Sequence, residues 1–168
     1  IGCTHSQIRF LFVDDGSTDG TGERLEVLRS TCPEAVEIHH LASNCGKAEA
    51  VRQGMLQALG SGAEYVGFWD ADLATPLETI PAFCACLDEH PHFDMVFGAR
   101  VQLLGRDIER RALRHYLGRI FSTAVSLMLR LKVYDTQCGA KLFRASPMIG
   151  ELFQSPFLSP WLFDIEIL

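Results

Sequence analysis

Four short apolar runs, separated by segments of helical periodicity, constrain this chain more than any other feature. "IRFLFVDDG" (8–16), "AVEIHHLA" (35–42), "AEYVGFWD" (63–70) and "FDMVFGAR" (93–100) read as strands. Between them, "GERLEVLRS" (22–30), "KAEAVRQGMLQALG" (47–60) and "PLETIPAFCACLDEH" (76–90) read as helices. Alternation at this spacing implies βαβ units, and therefore an α/β fold with a mostly parallel sheet flanked by helices. The first run lacks polar alternation, which predicts a strand buried on both faces. In the second helix Ala50, Val51, Gly54, Met55, Ala58 and Leu59 share one face. Further on, "IERRALRHYLGRIFSTAVSLMLRL" (108–131) predicts a long helix with a broad apolar stripe, and "FDIEIL" opens another.

In open sheets of this kind ligands sit outside the carboxyl ends of the strands. "VDDGS", "WDADLATP" and "GAR" all fall at such ends and are expected to share one rim. Two of them carry acid pairs, Asp14 with Asp15 and Asp70 with Asp72. No cation lies near Asp70 and Asp72 in sequence, and bare carboxylates are costly to bury unless a cation arrives. Magnesium is held by one or two carboxylates together with substrate phosphates, so D-x-D here suits a metal–diphosphate complex. An isolated D-x-D is more often a solvated loop; its place after an apolar strand, beside a second acidic strand end, favours the metal. Aspartate-nucleophile phosphatases use D-x-D-x-[Thr/Val], but Ala74 stands at the fourth following position and Thr75 comes one step late.

Length and charge narrow the field. A chain of 168 residues, 48% apolar and 21% charged, can bury one sizeable core and reads as a single domain. The six cysteines lack zinc-site spacing, and reduced thiols are expected in a core this large. Net charge is −6, yet residues 98–132 hold eight Lys/Arg against two acids. A basic segment in an acidic chain points to a local anionic partner and argues against nucleic-acid binding.

Several stretches together resemble a known family. "FVDDGSTDGT", "NCGKAEAVRQGM", "WDADLATP", "GAR", "DTQCGAKLF" and "WLFDIEIL" occur in the order found in inverting family 2 glycosyltransferases. They are most similar to the polyprenyl-phosphate branch, dolichyl-phosphate glucosyltransferases and their bacterial relatives in particular. Mannosyl members typically have Gln where Ala74 stands, which favours the glucosyl side. Ala48, Glu49, Ala99 and Ala140 depart from the family pattern. A first strand ending in a "P-x-Y-N-E"-like segment is not found, and the chain ends within the "FDIEIL" helix. The resemblance therefore implies a catalytic domain over 1–168 lacking the first strand and the C-terminal membrane-associated region. Unpaired sheet edges would then favour a homo-oligomer or a borrowed strand.

The resemblance implies a GT-A (Rossmann-like) fold, a nucleotide-sugar donor with UDP-glucose favoured, and Mg²⁺ or Mn²⁺. Asp72 becomes the metal ligand, with Asp70 near the ribose or sharing the ion. Asp14 and Asp15 would contact the base or ribose, whose imide and hydroxyls donate to carboxylates. Lys47, at a helix start, would approach the diphosphate, and Arg100 would join the donor side. Arg111 and Arg114, one helical turn apart, would bind the phosphate of a polyprenyl phosphate acceptor. Asp135 or Asp164 would act as base for a sugar-hydroxyl acceptor, or organise the site. Ser17 and Thr18 read as helix caps, while His39 and His40 receive no functional assignment. The implied location is cytoplasmic, peripheral at the cytoplasmic face of a membrane. The competing reading is a nucleotide-sugar-binding module without catalysis.

Overall fold

A computed structural model of the chain describes residues 8–98 and 137–168. The long helix expected over 108–131 lies outside them, as do Arg100, Arg111, Arg114 and Asp135. Two compact units are present, Ile1–Val66 with Ala145–Phe163, and Gly67–Arg144 with Asp164–Leu168.

In the first unit β1 (Phe10–Asp14) pairs in parallel with β2 (Val36–His40), Phe10 opposite Val36 and Asp14 opposite His40. The connecting helix α1 (Thr21–Thr31) starts from Gly20, whose φ of 79° suits a residue without Cβ. Neither Ser17 nor Thr18 caps it. Instead Asp19 accepts from the Thr21 amide and hydroxyl at 3.2 and 2.7 Å. Phe10–Val13 are only part-buried, against the expectation of burial on both faces; among the described residues β1 has one hydrogen-bonded neighbour.

Helix α2 (Lys47–Leu59) packs its small-residue face on β1: a Cβ at Gly54 would meet Val13 Cγ2 at 2.8 Å. Ala48 and Met55 are its buried residues. Glu49 forms a two-pronged pair with Arg52 at 2.6 and 2.7 Å. That pair, more than the hydrogen bond from Gln53, holds the Glu49 carboxyl below its ordinary value. Arg52 also donates to the carbonyls of Phe153 and Gln154 at the end of α4 (Pro147–Gln154), where a helix presents unpaired acceptors. Ser146 caps α4, accepting from the Ile149 amide, with Pro147 in the first turn.

The second sheet has the order β3 (Tyr65–Trp69), β5 (Ala140–Arg144), β4 (Met95–Phe97). β5 runs antiparallel to β4, with Phe97 opposite Lys141. Its bonds to the β3 segment join Asp70 N to Gly139 O and Ala145 N to Glu64 O, again an opposed direction. This central strand, and α4 after it, were not anticipated. The helix expected over 76–90 is a 3₁₀ turn (Leu77–Thr79) running into α3 (Ile80–Glu89). Trp69 packs on Phe83 with ring centroids 5.3 Å apart. The last short helix, α5, is Phe163–Glu166.

Candidate functional site

The two acidic strand ends are built differently. In the first unit Asp14 closes β1 and is buried; its Oδ1 accepts from the Ser17 amide at 3.0 Å, and His40 Nδ1 meets its Oδ2 at 3.0 Å. The hydrogen bonds from Ser17, and then from His40, hold the Asp14 carboxyl below its ordinary value. The same contact raises His40, with Glu26 at 3.5 Å from Nε2 adding to the effect. His40 is thus part of the acidic strand end, though it lies 26 residues from Asp14 and its sequence context gave no sign of it.

Asp15 turns toward the loop before α2. Its two carboxylate oxygens accept from the amides of Cys45 and Gly46 at 2.6 and 2.8 Å. Gly16 permits this approach: with φ of 66°, any Cβ would meet Asn44 N and Ser43 C at 2.6 Å. Asp15 therefore anchors the loop that delivers Lys47, and its remaining lone pairs are what a ligand donor would find. Lys47 itself is exposed at the start of α2, with its Nζ 5.8 Å from the centroid of the Phe163 ring.

In the second unit Asp70 and Asp72 sit in a tight turn after β3, where the Leu73 amide donates to Asp70 O at 3.0 Å. Ala74 N donates to Asp72 Oδ1 at 2.9 Å, and Leu73 adopts a φ of 51°, uncommon for a residue with a side chain. Asp72 is exposed. Asp70 lies on the Cα of Gly139, so closely that a Cβ there would collide with its carboxylate. A small open pocket is lined by Asp70, Ala74, Thr75, Cys138 and Gly139. Among the described residues no three His, Cys, Asp or Glu side chains gather into a metal cage. Two neighbouring carboxylates nevertheless match the oxygen donors from which Mg²⁺ is held when phosphates and waters complete its shell.

Asp164 has a defined partner. It is 4% exposed and accepts from Lys141 Nζ, which is itself fully buried and also donates to Cys138 O at 2.7 Å. The Phe68 ring covers the same ammonium at 5.4 Å from its centroid. Asp164 is thereby engaged by a buried cation that is also bonded to the Cys138 backbone. Lys141 was passed over in sequence, where it reads as an ordinary lysine inside "CGAKLF".

Sequence comparison adds a second line of observation. The profile described as Glycosyl transferase family 2 matches residues 3–150. The chain is 34% identical to the dolichyl-phosphate beta-glucosyltransferase of Drosophila melanogaster, covering 94% of this chain and 49% of that protein. It is 29% identical to the Saccharomyces cerevisiae protein of the same name, over 97% of this chain and 52% of that one. The polyprenol monophosphomannose synthase of Mycolicibacterium smegmatis is 27% identical, over 82% and 51%. The chain thus spans about half the length of these curated relatives.

Proposed function

The chain belongs to glycosyltransferase family 2, and we propose that it serves the transfer of a hexose from a nucleotide-diphosphate sugar to a polyprenyl phosphate. The observation that carries this reading is similarity along nearly the whole chain to dolichyl-phosphate beta-glucosyltransferases. It favours glucose as the sugar and UDP-glucose as the donor.

Asp72, with Asp70 beside the ribose or sharing the ion, would hold Mg²⁺ or Mn²⁺. Such an ion, when bound, draws charge from a departing diphosphate. Asp14 and Asp15 serve the nucleoside, Asp15 also by fixing the loop before Lys47, whose ammonium attracts the diphosphate. Arg100 is assigned to the donor, and Arg111 and Arg114 to the acceptor phosphate. A phosphate monoester has a second pKa of about 6 and is mostly dianionic at neutral pH. It attacks the anomeric carbon with little need for a base, so positioning carries the step. A hydroxyl acceptor would need a base; of the two candidates, Asp164 is engaged by Lys141, and Asp135 lies outside the described residues. Among the described residues no helix is long and apolar enough to cross a membrane. We assign the chain to the cytoplasmic face of the membrane that carries its lipid acceptor.

A transfer screen tests this reading. The chain is incubated with UDP- or GDP-sugars, Mg²⁺ or Mn²⁺, and a polyprenyl phosphate, and the glycosylated lipid is measured. Hexosyl-phosphoryl-polyprenol formed from UDP-glucose supports it. Nucleotide binding without transfer would make the chain a binding module, and transfer to a sugar hydroxyl alone would replace the acceptor.

A further inference from the structure

We propose that Lys141 and Asp164 are positioning residues for Asp70, acting through the Cys138–Gly139 backbone. The inference rests on the reading of Asp70 and Asp72 as the metal–diphosphate end of the site, and adds the device that sets one of those carboxylates in place.

A fully buried lysine requires a reason, because an ammonium loses its hydration when it leaves water. Lys141 has two acceptors: the Asp164 carboxylate and the Cys138 carbonyl at 2.7 Å. The second joins the ion pair to the loop that precedes β5. That loop touches the acidic strand end twice. Gly139 O accepts from the Asp70 amide at 2.7 Å, and the Gly139 Cα forms the seat on which the Asp70 carboxylate lies. On its other side, Cys138 Sγ lies 3.6 Å from Thr75 Oγ1 and a Cβ at Gly98 would meet it at 2.9 Å. The Cys138–Gly139 peptide is therefore clamped between a buried charge pair and the pocket wall. Stability alone does not require a charge pair here, since apolar residues of similar volume replace such pairs at little or no loss. What apolar residues cannot supply is the directional hydrogen bond to Cys138 O.

The test separates folding from positioning. UDP and GDP are titrated into the full chain by calorimetry with and without MnCl₂, alongside thermal melts. The double variant Lys141→Met/Asp164→Leu removes both charges together; it should melt cooperatively yet bind the nucleotide–Mn²⁺ complex roughly tenfold more weakly, as loss of a supporting partner does at metal sites. Asp164→Asn, which keeps the shape, should lie between it and the parent chain. Gly139→Ala, which acts on the Asp70 seat directly, should lose Mn²⁺-linked binding while retaining a cooperative melt. Unchanged Mn²⁺-linked affinity in whichever of the three variants melts cooperatively overturns the positioning role. If the parent chain shows no Mn²⁺-linked binding of either nucleotide, the metal reading beneath the inference fails, and the inference with it.

Discussion

The acid pairs after β1 and β3 look alike in sequence and are held differently. Asp14 and Asp15 are tied into backbone: Ser17, Cys45 and Gly46 amides donate to them, and His40 adds a fourth bond. Asp72 stands exposed with a single described amide on one oxygen, and Asp70 is seated on a glycine beside a pocket. In the first unit the carboxylates themselves are the structural ties. In the second, Asp72 is presented to solvent, and the buried Lys141–Asp164 pair bonds to the Cys138 carbonyl, next to the glycine on which Asp70 is seated. An aspartate pair at a strand end therefore does not declare its employment; the donors that reach it do.

The largest effect expected from this contrast lies beneath the second pair. Asp164→Leu alone leaves Lys141 buried without its counter-charge and should cost about 3–5 kcal/mol in urea unfolding. A loss under 1 kcal/mol, roughly that of an ordinary surface change, would remove the buried pair from the account. Next comes Asp15→Ala, which deprives two amides of a charged acceptor and should cost about 1–2 kcal/mol by the same measurement. The matching change in the second unit, Asp72→Ala, should stay within about 0.5 kcal/mol, since only an exposed turn loses a bond. Equal costs for these two would erase the distinction between tied and presented acids.

The smallest effect concerns pH. His40 is raised above its ordinary 6.5 by Asp14, so its contribution is complete below that value and fades as pH rises through the higher folded value. Asp14 is lowered from 3.8, so its contribution is present above that value and is lost as pH falls through the lower folded one. Melts of His40→Gln should therefore differ from the parent most between these ordinary values and least in mild alkali. A difference that grows with rising pH would contradict the pairing.

Much of this was legible locally. The apolar runs locate β1, β2 and β3 to within two residues, and Gly46 followed by a small-residue face at helical spacing locates α2. β5 escaped because Lys141 is its second residue; a buried lysine makes "AKLFR" look like neither an alternating nor an apolar strand. The Ser146–Pro147 pair, a cap followed by a first-turn proline, was a readable signal for α4. At the site, the residue types and strand-end positions were readable, whereas the donors that distinguish them were not. Cys45 and Gly46 reach Asp15 from 30 and 31 residues away, and Lys141 meets Asp164 across 23. Such pairings follow from how strands are ordered, and strand order is what local periodicity leaves undetermined.

The central claim is that the acids after β3 serve a metal-bound diphosphate. Its most direct test is calorimetric titration of UDP and GDP into the parent chain and Asp72→Asn, each with and without Mn²⁺. The account expects binding of one nucleotide by the parent to depend on the ion, and the asparagine variant to lose that dependence or the binding itself. Metal-linked binding of the same strength in both proteins would remove Asp72 from the site and contradict the claim.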